Sequence, residues 1–285
     1  MLYPCTKEAF DRHVDFAYAL ASDLTKSGYP TYCDGIKTKA MFVERSLKAF
    51  ARRTEQMLLF VREGTVQGVI HCYWLPEDHY LSAVSFLIQN GMEQALSEFL
   101  AWARENFRGY DLFLGFPAEN QAAVQFLADH GFACIEDDCN NTAFLDRCGE
   151  IPKVGGLVQI GKENYESFRS LHRKTEGDMY WNSDRILEDL ESWTILVKEE
   201  GGQPQGAIYY RACGDKWFEI FGIDRRDDAH DSELLQALLY GALQRAKDRG
   251  GRVMTFFCDK EDEEKVKGCG FVCVGNHLCY TIRLG

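Results

Sequence analysis

The chain has 285 residues, 46% of them hydrophobic and 27% charged, and a formal net charge of −12. That length is long for one hydrophobic core and suits two domains of roughly 140 residues each, and no segment approaches the roughly 20 apolar residues that span a bilayer. Acidic residues outnumber basic ones in both halves, 21 to 13 over 1–150 and 23 to 19 over 151–285, so the basic excess that nucleic-acid binding requires is missing, whereas an acidic surface confers solubility and attracts cationic amines.

The start, Met1-Leu2-Tyr3-Pro4-Cys5-Thr6-Lys7-Glu8, lacks the basic and then apolar pattern of an export signal. Eleven cysteines, scattered and without a Cys-x-x-Cys, read as reduced thiols of a cytoplasmic protein rather than as a disulfide framework. Cys269 and Cys273 form a close pair without a second cluster, so no metal site is expected.

Periodicity sets out the elements in chain order. Helices are expected at about 7–25 and 39–54, then strands near 57–63, 66–75 and 80–89. A helix follows at about 91–107, where Leu96, Phe99, Leu100 and Ala103 recur at helical spacing, then a strand at 110–116, a helix at 119–130 and a closing strand or hairpin after Phe132. Pro and Gly punctuate Ile151-Pro152-Lys153-Val154-Gly155-Gly156, and a boundary near Gly149 to Gly156 separates residues 1–150 from 151–285. The order then starts again: helices at 163–176 and 183–192, strands near 194–200, 205–213 and 216–224, a helix at 231–248, a strand at 252–258, a helix at 260–268 and a strand at 271–283.

The second half is a repeat of the first. Met57-Leu58-Leu59-Phe60-Val61-Arg62-Glu63-Gly64 leads to Gln67-Gly68-Val69-Ile70, and Thr194-Ile195-Leu196-Val197-Lys198-Glu199-Glu200-Gly201, 137 residues on, leads to Gln205-Gly206-Ala207-Ile208, 138 residues on. Leu96 and Leu100 correspond to Leu235 and Leu239, and Gly131-Phe132 to Gly270-Phe271, at an offset of 139.

This order, a helical pair, three antiparallel strands, a long helix, then strand, helix and strand, resembles the GNAT acyltransferase fold in both halves. Asn120-Gln121-Ala122-Ala123, running on to Gly131-Phe132, is similar to the family's Asn-x-x-Ala run ending in Gly-Phe. Asp259 through Phe271 keeps the length and the ending. The resemblance implies an α/β (α+β) protein of two tandem GNAT-like domains, each a mixed, mostly antiparallel sheet flanked by helices. It also implies acetyl-CoA, or another acyl-CoA, with its pantetheine arm between the fourth and fifth strands and its pyrophosphate on the loop that opens the long helix, where free N–H groups and the helix dipole favour an anion. In the first copy that loop is Ile88-Gln89-Asn90-Gly91-Met92, with Asn120 matching a residue that contacts the arm. In the second copy Arg226 and Ala229 keep part of the pattern, but Asp231 stands where a glycine belongs and reads equally as a helix N-cap. The first copy, with less opposing charge, is the preferred cofactor site.

Acyl transfer to an amine needs a base for the ammonium proton and a donor for the leaving thiolate. Neither copy has the family's tyrosine donor, since Leu127 and Val266 occupy the matching positions. Candidate bases are Glu219, on the fourth strand of the second copy, and Glu77, Asp78 and His79, in the turn before the fourth strand of the first. Cys72, Cys134 and Cys258, with His71 or His130, offer a nucleophile, and Tyr73, Trp74, Tyr209 and Tyr210 an acceptor pocket; buried structural cysteines and aromatics are the competing reading. The resemblance implies an N-acyltransferase acting on a small-molecule or peptide amine, with no nucleic-acid or membrane partner and an oligomeric state the sequence leaves open. The degraded loops leave a second reading, a non-catalytic GNAT-like protein that binds an acyl-CoA or a partner.

Overall fold

A computed structural model describes residues 1–177, 179–214, 216–226 and 231–285. Chain order runs β1 (Leu2–Pro4), α1 (Lys7–Ala21), α2 (Lys39–Leu47), β2 (Glu55–Arg62), β3 (Thr65–Leu75), β4 (Tyr80–Ile88), α3 (Met92–Asn106), β5 (Asp111–Pro117), α4 (Gln121–Asp129) and β6 (Ala133–Phe144). It continues with β7 (Leu157–Gln159), α5 (Tyr165–His172), α6 (Ser183–Glu188), β8 (Trp193–Glu200), β9 (Gln203–Gly214), β10 (Trp217–Arg225), α7 (Ser232–Asp248), β11 (Val253–Cys258), α8 (Glu263–Gly268) and β12 (Val272–Arg283). Side-chain oxygens of Thr6, Thr38 and Asn120 cap α1, α2 and α4, which satisfies donors that a helix start leaves free. Glu63 and Gly64, both at positive φ, make the tight turn from β2 to β3, and Gly201 and Gly202 repeat it from β8 to β9.

The chain divides into unit 1, Met1–Asp138 with Gly275–Gly285, and unit 2, Cys139–Val274. This differs from a division at Gly149–Gly156, because each copy ends on a strand that completes the other copy's sheet. In unit 1, residues 277–283 of β12 run antiparallel to β5, giving the order β1-β2-β3-β4-β5-β12. In unit 2, residues 139–144 of β6 run antiparallel to β11, giving β6-β11-β10-β9-β8-β7. Each sheet is antiparallel apart from one parallel pair, β4 with β5 and β10 with β11.

Both faces of each sheet are covered, which is why Met57-Leu58-Leu59-Phe60 is apolar without alternation. Leu58 and Phe60 pack with α3, whose Met92, Ala95, Leu96, Phe99, Leu100 and Ala103 are buried at helical spacing. Met57 and Leu59 pack with Phe10, Leu20 and Phe42 of α1 and α2. Unit 2 repeats the division: Leu196, Ile208 and Tyr210 face α7, and Ile195, Val197 and Tyr209 face α5 and α6. Burying a residue such as Phe99 contributes about 2 kcal/mol by area, and truncating it to Ala costs about 3–5 kcal/mol.

Irregularities recur with the repeat. Pairing shifts by one residue between Phe60 and Val61, and 138 residues later between Lys198 and Glu199. Val84 of β4 is an extra residue opposite the His71/Cys72 step of β3, and Phe221 of β10 is an extra residue opposite Tyr209/Tyr210. A bulge bends its strand, and the parallel pairing ends just ahead of each one, at Ser82 and at Ile220.

Candidate functional site

The parallel pairs are short. β4 and β5 stay in register only from Tyr80–Asp111 to Ser82–Phe113, and β10 and β11 from Trp217–Val253 to Ile220–Phe256. Beyond these points the strands diverge and backbone groups face a wedge-shaped gap.

In unit 1 the chain itself fills that gap. Lys26–Tyr29, the stretch after α1, lies between the diverging strands: Ile88 N donates to Lys26 O at 2.9 Å, Gly28 N to Phe86 O at 2.7 Å and Tyr29 N to Gly115 O at 2.9 Å, and Ser27 bridges to Leu87. Gly28 fits because a Cβ there would lie 3.1 Å from both Gly115 O and Phe86 Cβ. Asn120, buried, donates from Nδ2 to Ser27 O at 3.0 Å while its Oδ1 accepts from Ala123 N at 3.3 Å. Its amide therefore holds the inserted segment. In the neighbouring loop Gly91, at φ 80°, starts α3 with no side-chain cap, and Arg62 Nη1 lies 3.3 Å from where a Gly91 Cβ would be. Ile88 ends β4, Gln89 N and Asn90 Nδ2 donate to Gln67, and Met92 is buried in the core.

In unit 2 no described segment makes a backbone hydrogen bond to Phe221–Asp224 from the β11 side, while the Asp224 carboxylate is bonded by His172 Nδ1 at 2.9 Å and by Thr175 Oγ1 at 2.6 Å. Arg226 is exposed at the end of β10, with its N–H on Gln205 O at 2.8 Å. Asp231 caps α7, its Oδ1 accepting from Glu233 N at 2.9 Å and Leu234 N at 3.2 Å, so a carboxylate takes donors that would otherwise meet an anion. Ala229 lies outside the described residues.

Glu219 lies one residue before the divergence, paired with Arg211 of β9 and Thr255 of β11. Strand alternation puts it on the face opposite buried Phe218 and Ile220, with Phe221, Trp193 and α5. Arg211 lies over the rings of Trp181 and Trp193, 5.3 and 5.2 Å from their centroids, and its guanidinium is 3.8 Å from Asp189.

The other sequence-predicted groups fall elsewhere. Glu77, Asp78 and His79 are exposed in the turn at the closed end of the β4–β5 pair, where Asp111 N donates to His79 O at 2.8 Å. The gap begins beyond Ser82, at the other end of the pairing. Cys72 is fully buried, and burial pushes its thiol up to about 12, while His71 is bonded to Glu55 at 2.8 Å. His130 bonds to Phe126 O and stacks on Phe126. Tyr209 and Tyr210 are buried, as are Leu127 and Val266.

No family model matches the sequence, and no curated protein matches it either. Solved structures do. A GCN5-related N-acetyltransferase from Sphaerobacter thermophilus is similar at TM-score 0.69 and 13% identity, covering 100% of this chain and 95% of that one. A tandem GNAT protein from the clavulanic acid biosynthesis pathway gives 0.57 and 14%, covering 100% and 98%. A GCN5-related N-acetyltransferase from Kribbella flavida gives 0.55 and 14%, covering 86% and 96%. At such identities the likeness establishes the fold: this chain carries the GNAT acyltransferase fold twice, in tandem. Among the described residues, no helix is long and apolar enough to cross a membrane.

The segment in the unit 1 gap is the feature sequence reasoning missed. Lys26-Ser27-Gly28-Tyr29-Pro30 has no periodicity, and its Gly and Pro signal only a loop. The residues of unit 1 fit an anion at Gly91 and Arg62 but leave no room along β4 for a pantetheine arm. In unit 2 no described backbone segment pairs with β10 beyond Ile220 from the β11 side, although the Arg225 guanidinium reaches Asp262 in the stretch after β11, and Arg226 stands at the end of the strand.

Proposed function

We propose that the protein is an acyl-CoA-dependent N-acyltransferase whose cofactor arm lies along β10 of unit 2, with acetyl-CoA as the simplest donor and a small-molecule or peptide amine as acceptor. The observation that supports this most is the divergence of β10 from β11 after Ile220, one residue beyond Glu219. The donor supplies an activated thioester carbonyl. Phe221–Asp224 offer backbone groups to the arm, and Arg226 offers a guanidinium to its phosphates. Glu219 takes a proton from the acceptor's ammonium at its carboxylate, freeing the amine to attack the thioester carbonyl as the C–S bond breaks, and water protonates the departing thiolate, since neither Leu127 nor Val266 can. Unit 1, its gap filled, serves as a structural partner. The cytoplasm is the proposed setting, in keeping with eleven cysteines none of which forms a disulfide.

Asp231 on α7 and Ser27 in the unit 1 gap favour the second reading, a GNAT-like protein without catalysis. Calorimetric titration of the full chain with acetyl-CoA and CoA separates the two when joined to amine-dependent release of CoA. One equivalent should bind, Arg226→Glu should weaken it about tenfold, and Gly91→Asp should leave it unchanged. Binding without turnover on any amine would establish the second reading, and no binding at millimolar ligand would remove the enzyme reading and leave only a partner-binding one.

A further inference from the structure

We propose that Glu136, His277 and Cys279 of unit 1 form a divalent-metal site of the zinc class. One donor atom from each lies within 4.8 Å of the other two, and Glu136 Oε2 is 3.6 Å from His277 Nε2. His277 and Cys279 are two residues apart on β12, so the strand period turns both to one face, and Glu136 meets them from β6. Zinc bonds of about 2.0–2.3 Å set tetrahedral ligand separations of roughly 3.3–3.8 Å. Side-chain shifts of about 1 Å therefore bring the three donors onto one ion.

The site is built into the fold. Cys279 pairs with Gly115 across the β5–β12 ladder, and a Cβ on Gly115 would lie 2.6 Å from His277 Cε1, so the missing side chain makes the space in which the imidazole sits. The Tyr29 ring covers its other side at 4.6 Å. The imidazole is 11% exposed and the Glu136 side chain 50% exposed, so the donor set is closed beneath and open above, where an ion can enter. Cys134 and Asp138 share the strand face of Glu136 and lie within electrostatic reach of Cys279. Either of them, or a water, can complete four-coordination. Thiolate with imidazole selects zinc over magnesium or calcium. On binding, the metal–sulfur bond replaces the S–H bond of Cys279 and the proton passes to solvent. The bound ion would also fix His277 against Tyr29, next to the segment that fills the β4–β5 gap.

The test is titration of the reduced, metal-free full chain with zinc against a competing chelator, and with cobalt followed by absorption. One equivalent of zinc should bind and raise Tm, and the cobalt form should show a thiolate charge-transfer band. Cys279→Ser and His277→Ala should each weaken binding about a hundredfold and Glu136→Gln about tenfold, whereas Cys33→Ser should change nothing. Failure of the wild type to bind one equivalent would overturn the site. So would a cobalt spectrum without the thiolate band, or affinity kept in the variants. Glu136 is exposed enough that its Gln variant folds even where the buried substitutions do not.

Discussion

The Asn120 side-chain amide and the Ser27 carbonyl, 93 residues apart in sequence, are joined by a 3.0 Å hydrogen bond in the buried interior of unit 1. The bond ties the start of α4 to the segment that occupies the β4–β5 gap.

Asn120→Ala removes both this bond and the α4 cap, and should cost about 2–3 kcal/mol. Hydrogen exchange read residue by residue should show Gly28 and Tyr29 amides losing protection well before those of β10. Equal loss in both units would mean that Asn120 supports the whole fold rather than the inserted segment.

Glu219→Gln should lower turnover roughly a hundredfold while acetyl-CoA affinity and acceptor KM hold nearly constant, because a base acts mainly in the transition state. Single substitutions of Glu77, Asp78 and His79, at the closed end of the other pair, should leave turnover at the wild-type level. A full-activity Glu219→Gln enzyme would displace Glu219 from the mechanism.

Glu55 predicts acid sensitivity in unit 1. Burial works to raise its pKa, but hydrogen bonds from His71 and Arg45, with Arg52 beside them, hold it down at about 2. A depressed carboxyl contributes stability above its ordinary value of 4.5, and that contribution is lost as pH falls toward about 2. Glu55→Gln should cost about 3 kcal/mol at neutral pH, and urea unfolding should show the difference fading below about pH 4.5.

His172 has the opposite sign. Burial disfavours its charged form, yet Asp224 at 2.9 Å, aided by the Trp181 carbonyl, raises its pKa above 6.5. Its contribution is then complete below about pH 6.5 and is lost as pH rises through the raised value. In thermal melts, the Tm gap between wild type and His172→Asn should narrow as pH rises above about 6.5. A constant gap would show that packing alone is at stake.

Much of the fold is legible in the sequence because each helix carries one apolar face and each central strand is apolar on two. The fate of the closing strands is not legible: Phe132 and Phe271 follow a Gly cap in the same way whichever sheet receives the strand beyond. Isolated β1 and β7 are too short to show a period. Glu219 is visible because it interrupts Trp217-Phe218 and Ile220-Phe221. Glu136 and His277 come together only through that strand exchange, and no local spacing records it.

The exchange also bears on how the chain comes off the ribosome. The outer edge of β5 waits for residues 277–283, so unit 1 must stand with Leu112–Pro117 unpaired while residues 118–276 are made, on the order of ten seconds at cellular elongation rates. An open apolar edge is a template for foreign strands. A fragment ending near residue 150 would keep that edge permanently, whereas a gene rearranged to place residues 275–285 ahead of Met1 would close it as soon as β5 emerged.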